Sequence, residues 1–312
     1  MNFLSMLMTL SFFGGTVVQA LETVHVAVGQ IVEHPALDTL RTSLKEGLEQ
    51  QGYVEGKNLK WTYENAQGSP ITAVQAIHKL VSGAPNVIVT LSTPMTQAAA
   101  TATPDIPIVF GAVSDPTAAK LTSHKNVTGL TDFVPVQPQL DLVTAVVPHV
   151  KSIGVIFNSG EANSQKQVQE IKALAKKQGI QIVEATVSKS SDVPAATKTL
   201  VGRVEAILLP TDNTVISALE SIIKIGIHNK IPVFGSDVDI VRRGAVAAYG
   251  VDWQVSGIAL AKMVTSILKG TPVKDIPIQN PEILSLHVNP KAAEQMGVSI
   301  PESLEKKADR VL

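Results

Sequence analysis

SIGVIFNSGEANSQKQVQEIKALAKKQGIQIVEA, residues 152–185, carries the reading that decides the fold class. Its opening SIGVIF (152–157) is an apolar run without alternation, the pattern of a strand buried on both faces of a parallel sheet. Residues 163–178 then take a helical period and stop at Gly179, the usual left-handed residue after a helix. A second strand follows at 181–185. The same punctuation continues downstream: a helix at 193–201, strand AILLP (206–210), a helix at 215–225, strands PVFGS (232–236) and AVAAYG (245–250), and a helix at 254–268 closed by Gly270. Upstream, an equivalent series begins with strand VHVAVG (24–29) and a helix at 36–51 whose Leu37, Leu40, Leu44 and Leu48 share one face. It goes on through a strand at 59–63, a helix at 71–81, strand NVIVTL (86–91), a helix at 95–101, strand PIVFGA (107–112) and a short strand at 127–130. Two such series predict an α/β protein of two doubly wound parallel-sheet lobes with a cleft between them. The border falls near 131–135, and PVQPQ (135–139) begins a segment that crosses between lobes. The proline-rich part from 271 is expected to hold one more strand, EILSLHV (282–288), and a terminal helical piece.

Composition agrees with two folded lobes. The chain has 312 residues, about twice the usual single domain, and is 45% hydrophobic and 17% charged, far from the disordered regime. A formal net charge of −1 gives no footprint for nucleic acid. The absence of cysteine removes disulfides, thiol catalysis, cysteine-based zinc sites and a lipid-anchored cysteine. Residues 1–20 lack any charged side chain, are apolar from Phe3 to Phe13, and end Val18-Gln19-Ala20. That pattern predicts a signal peptide cleaved after Ala20. No later window approaches the ~18–20 apolar residues needed to span a bilayer, so the mature protein is expected not to be membrane-inserted.

Ligands of open parallel sheets bind beyond the carboxyl ends of the strands, and those positions name the candidate site. In the first lobe they are Gln30, Glu33 and His34, then Ser92 and Thr93, then Ser114 and Asp115. In the second they are Asn158, Glu161 and Asn163, then Thr211 and Asp212, then Ser236 and Asp237, with Tyr249 at the end of the last strand. Many of these residue types immediately precede helices, so helix capping competes with ligand contact at each position. None is Lys or Arg. Hydroxyls, amides, helix N-termini and carboxylates suit a zwitterion better than a phosphate, and an aromatic content of 4% leaves few stacking platforms for a sugar. No GxSxG, Walker, GxGxxG or HExxH motif is present. Neither a catalytic site nor a metal or cofactor is expected. A hydrolase using Glu33 and His34 is the enzyme alternative, and a sugar or nucleoside receptor is the alternative within the binding class.

Seven blocks share a family resemblance: VGQIVEHPALD (28–38), GLEQQGYVEGKNL (47–59), VTLSTPMTQA (89–98), IVFGAVSDP (108–116), GVIFNSGEANS (154–164), LPTDNTV (209–215) and FGSDVDIVRRGAVAAYGVD (234–252). Together they resemble the ABC-transporter substrate-binding family that includes tryptophan- and tyrosine-binding proteins. The resemblance implies a type I periplasmic binding protein, with two Rossmann-like lobes joined by three crossing strands. It implies lobes at 21–132 with about 251–280 and at 133–250 with about 281–312. It further implies an aromatic amino acid as ligand, a periplasmic monomer, and permease and ATPase partners. By the same analogy Ser92, Thr93 and backbone N–H groups near Ser114 would take the ligand carboxylate, and Asp212 or Asp237 the ammonium. Asn158, Glu161 and Asn163 would close from the second lobe, while Gln30, Glu33, His34 and Tyr249 would shape the side-chain pocket. The chain departs from many family members in lacking a lipid-anchoring cysteine, so it is expected to diffuse freely. The same fold serves as the effector domain of transcription regulators, but those begin with a helix-turn-helix where this chain has a leader-like segment.

Overall fold

The computed structural model describes residues 23–312; the signal peptide expected at 1–20 and its expected cleavage after Ala20 lie outside the described residues. The first lobe alternates strand and helix: β1 (Val24–Gln30), α1 (Pro35–Gln50), β2 (Leu59–Asn65), α2 (Pro70–Ser82), β3 (Val87–Leu91), α3 (Thr93–Ala102), β4 (Ile108–Val113) and β5 (Val127–Thr131). The second runs α4 (Val136–Val146), β6 (Ser152–Asn158), α5 (Ala162–Lys177), β7 (Gln181–Val187), α6 (Val193–Lys198), β8 (Ala206–Leu209), α7 (Asn213–Ile216), α8 (Leu219–Asn229), β9 (Val233–Asp237), α9 (Asp239–Arg242) and β10 (Ala247–Val251). After these come α10 (Trp253–Leu268), β11 (Leu284–Val288), α11 (Pro290–Gln295), α12 (Glu302–Glu305) and β12 (Arg310–Val311). The first sheet has the order β2-β1-β3-β4-β5, all parallel. In the second, β7-β6-β8-β9-β10 repeats that order, and β11 and β12 extend its far edge.

The apolar runs are buried as their patterns demand: every residue of β3, β5, β8 and β9 is buried. Each sheet has its own core. One gathers Val26 to Val134 and then Val251 to Ile267; the other gathers Val136 to Ala248 and then Val288 to Ile300. The chain therefore passes between lobes three times, at 132–135, at Asp252 and before β11. Only fragments of these crossings are regular, so the three crossing strands implied by the resemblance are mostly extended coil. The third follows the edge of β5, where the Thr131 amide donates to the Gln279 carbonyl and the Gln279 amide to that of Gly129.

α10 returns to the first lobe and lies against α1. The approach is close enough that a Cβ on Gly257 would stand 2.5 Å from the Ser43 Cβ and 2.8 Å from the Leu40 carbonyl oxygen. Neither neighbour is a flexible side-chain end. Gly257→Ala is therefore expected to destabilise the protein by about 1–3 kcal/mol through overpacking, despite alanine's better helix propensity. Urea unfolding checks it, and an unchanged midpoint would contradict this packing.

Three local readings are corrected, and the direction of one strand, which the sequence leaves open, is added. The single helix expected at 215–225 is two, α7 and α8, broken at 217–218. The segment 135–139, read as the start of a crossing, is already the first turn of α4. Pro138 masks that helix in the sequence, yet a first-turn proline loses no intrahelical bond, and Leu140, Val143 and Val146 bury its inner face. β11 pairs antiparallel with β10. The terminal region holds α11, α12 and β12 where one helical piece was expected. No described helix is long and apolar enough to cross a membrane.

Candidate functional site

Both sheets reverse their strand order beside their first strand, between β1 and β3 and between β6 and β8, and such switch points open a crevice at the strands' carboxyl ends. The two crevices face each other. Ser92 follows β3, Ser114 follows β4 and Asp132 follows β5, so they lie on three adjacent strands about 4.8 Å apart. The residues brought here are buried although they are polar: Ser92, Thr93, Asp132, Asn163, Asp212 and Asp237 are each less than 6% exposed.

Buried polar atoms normally have partners, and here five do not. Ser92 Oγ, Thr93 Oγ1, Ser114 Oγ, Asp132 Oδ1 and Asn163 Oδ1 make no hydrogen bond. The first three are hydroxyl groups around the N-terminus of α3, where backbone N–H groups and the helix dipole favour an anion. The last two are acceptors that favour a cation or donor. Ser92 has φ +105° and lacks a side-chain cap bond to its helix, and Ala112, near the end of β4, has φ +58°. Such conformations are strained for residues with a Cβ and concentrate at ligand sites.

The remaining expected residues are tied into the protein itself. Asp212 Oδ2 accepts from the Asn158 amide (2.6 Å) and the Ser164 hydroxyl (2.6 Å), and Oδ1 caps α7 through the Val215 amide (2.8 Å). Glu161 receives the Asn213 and Thr214 amides together with both of their side chains. Asn158 donates to Thr214 Oγ1 and accepts from the Gly160 amide, and Thr211 and Ser236 pair through their hydroxyls at 3.0 Å. Gln30 is fixed by Arg41, Asp38 and the Val32 carbonyl. Asp115 caps the turn at Thr117 and Ala118. Glu33 is exposed, with only the Tyr63 hydroxyl at 3.5 Å, whereas His34 is buried and caps α1, its Nδ1 accepting from the Leu37 amide at 3.5 Å. Glu33 and His34 are thus not joined as an acid–base dyad. Tyr249 packs against both cores, and its hydroxyl has no hydrogen-bond partner among the described residues.

Both lobes line a cavity of about 730 Å³ between α2–α3 and the turn at Asn158–Glu161, and two small cavities that share Asp132 and Thr211. One, about 30 Å³, includes Ser114, Phe133, Asn163 and Gln167; the other, about 20 Å³, includes His34, Leu37, Ala112, Ile216, Asp237 and Trp253. Trp253 Nε1 donates to Asp237 Oδ1 at 3.0 Å, joining α10 of the first lobe to β9 of the second. Asp132, Trp253 and Gln167 were absent from the sequence-derived site. Asp132 obeys the strand-end rule that selected Ser92, but it sits where the chain was read only as a lobe border.

Burial sets the electrostatics. It pushes the Asp132 carboxyl up to about 6, opposed by the nearby Ser114 hydroxyl and by its own backbone. Asp212 is raised to about 7 by burial and then by the charge of Glu161. Asp237 is raised to about 7 by burial and then by Asp239. His34 falls to about 4, first through burial and then through Arg243. No group of three or more metal-ligating side chains occurs among the described residues. The arrangement is a closed, acid-rich chamber with hydroxyl donors on one side and unpaired acceptors beside them.

Comparison with known proteins gives this chamber a context. The chain is 36% identical over 270 residues to a tyrosine-binding protein of Clostridioides difficile (strain R20291), covering 85% of this chain and 78% of that one. An ABC domain from Streptococcus pneumonia in complex with L-Trp superposes with a TM-score of 0.89 at 31% identity, over 93% of this chain and 100% of the other. The ligand-free, open structure of a substrate-binding protein with adhesive properties from Clostridium difficile is 35% identical but reaches only 0.68, over 93% and 99%. The more identical relative fits worse, so the lobes here stand as in the ligand-bound relative. The fold is that of type I periplasmic binding proteins. Because the ABC transporter substrate binding protein family matches residues 25–312, nearly the whole described chain, the protein belongs to that family.

Proposed function

We propose that the protein is the extracytoplasmic receptor of an ABC importer and captures an amino acid with an aromatic side chain. The observation that carries this reading is the set of five unpartnered polar atoms. A ligand carboxylate would rest on the Ser92, Thr93 and Ser114 hydroxyls and the α3 N-terminus. Its ammonium, one or two bonds away, would reach Asp132, with Asn163 Oδ1 closing over it from the second lobe. Asp132 takes the role first expected of Asp212, whose oxygens are already used by α7 and β6. The aromatic class is supported by the names of the relatives that share the fold and the blocks around the site. Ligand contacts from both lobes favour the closed form over the open one, and the closed form is what a permease with its ATPase would read. Export through the leader at 1–20 and a monomeric state belong to the same reading.

The small size of the two cavities beside Asp132 favours one further possibility, a compact aliphatic zwitterion, because a ring there requires the lining side chains to move aside. Thermal melting of the chain from residue 21 against the twenty amino acids and a sugar panel separates these readings. A ligand at about 100 times its Kd should add about 2.7 kcal/mol of stability. A shift led by aromatic amino acids supports the proposal, a shift led by aliphatic ones supports the compact zwitterion, and a shift with sugars alone overturns both.

A further inference from the structure

Resting on the amino-acid reading, we infer that Asp237 selects a ligand whose side chain ends in a hydrogen-bond donor, so that tyrosine or tryptophan is taken and phenylalanine is disfavoured. The cavity beside the ammonium site has an apolar side of Leu37, Ala112, Ile216 and the Trp253 ring, a polar side of His34, Thr211, Asp212 and Asn213, and touches both Asp132 and Asp237. A side chain leaving the α-carbon beside Asp132 therefore crosses apolar surface and ends at a carboxylate.

The two oxygens of Asp237 differ. Oδ1 accepts from Trp253 Nε1 at 3.0 Å and from the Asp239 amide at 2.9 Å. Oδ2 has no hydrogen-bond partner among the described residues. Asp212, on the same cavity wall, has both oxygens occupied and cannot serve. No Lys or Arg lines this cavity; the charge of Arg243, outside it, favours the ionised carboxylate but less strongly than burial and Asp239 oppose it. A phenol O–H or an indole N–H can donate to Oδ2, whereas the bare ring of phenylalanine leaves that oxygen without a partner. A site built to hydrogen-bond a polar group rejects the analogue lacking it far more strongly than an apolar pocket rejects a size difference. Burial and the neighbouring Asp239 charge raise Asp237 to about 7, so discrimination should strengthen as pH rises from 6 to 8 and the acceptor ionises.

The test is calorimetric titration of L-tyrosine, L-tryptophan and L-phenylalanine into the wild-type protein and into Asp237→Asn. A hydrogen bond to a charged group contributes about 1.5–3 kcal/mol, so tyrosine or tryptophan should bind about 10- to 150-fold more tightly than phenylalanine. In Asp237→Asn the carbonyl oxygen can still hold Trp253, and the preference within that variant should fall to threefold or less. Wild-type phenylalanine affinity within threefold of both other ligands overturns the inference without any variant and leaves the amino-acid reading standing. A preference that survives in Asp237→Asn also overturns it. Failure of all three ligands, or tighter binding of aliphatic ones, overturns the aromatic reading together with it.

Discussion

Asp132→Asn is expected to raise the Kd for the amino-acid ligand by about 30- to 4,000-fold, while the ligand-free protein keeps its stability at pH 7.5. The two effects have one origin. Asp132 is 2% exposed, and Oδ1 has no partner. A carboxylate in that position is costly to bury and becomes favourable only when a cation faces it. Truncating one partner of a buried charge pair typically removes about 2–5 kcal/mol of binding. Asparagine is isosteric and neutral, so it loses the attraction for an ammonium and also removes the burial cost. Titration calorimetry and chemical denaturation on the same preparation check both halves. Unchanged affinity would refute the assignment of the ammonium to Asp132. A large loss of stability with the loss of affinity would mark Asp132 as part of the scaffold instead. By contrast, Asp212→Asn should disturb the junction of β6, α5 and α7, lowering stability first and affinity as a consequence.

Acid is the second lever with a large expected effect. The closed form holds the Asp132 carboxyl at about 6, against an ordinary aspartate value of about 3.9. A carboxyl raised in one state binds its proton more tightly there, so that state gains stability as pH falls through 6 toward 4. Protonation therefore closes the ligand-free lobes by the same neutralisation that the ligand ammonium would provide. It also competes with the ligand, since a neutral Asp132 no longer attracts an ammonium. In an Asp237→Asn background, which removes the second titrating carboxyl of the site, Kd should be flat above pH 7 and rise as pH falls, by up to tenfold per unit below the free protein's value for Asp132, with up to one proton released per ligand bound. The break lies at about 6 for a protein that rests closed and nearer 4 for one that rests open. Asp132→Asn should remove this break. Titrations between pH 4.5 and 8 in buffers of different ionisation enthalpy would show it. A Kd independent of pH in the wild type would contradict the role given to Asp132.

Most of the fold was legible because parallel sheets leave a strong trace. A strand buried on both faces needs an unbroken apolar run, as in SIGVIF or NVIVTL, and each is separated from the next by a helix-length segment with its own period. What was not legible had a local cause. Pro138 disguises α4, Ser217 and Ala218 break what reads as one helix, and the apolar run of β11 says nothing about its direction. The site was legible as a set of strand-end turns but not as a set of roles. Asp212, Glu161 and Ser92 all precede helices, and the sequence alone does not tell a side chain that caps from one left free. Only the hydrogen-bond partners separate them: Asp212 and Glu161 hold α7, while Ser92 leaves its hydroxyl unused. Asp132 is hidden in the sequence because the chain there reads as a lobe border, although its carboxyl lines a cavity between the lobes beside Ser114.

A crystal structure of the chain from residue 21 grown with L-tryptophan or L-tyrosine would locate the ligand outright. The ligand is expected between the lobes, its carboxylate about 2.7–3.2 Å from the Ser92, Thr93 and Ser114 hydroxyls and its ammonium at similar range from Asp132. A ligand whose ammonium is held by Asp212, or one bound with those three hydroxyls still unpartnered, would contradict this placement.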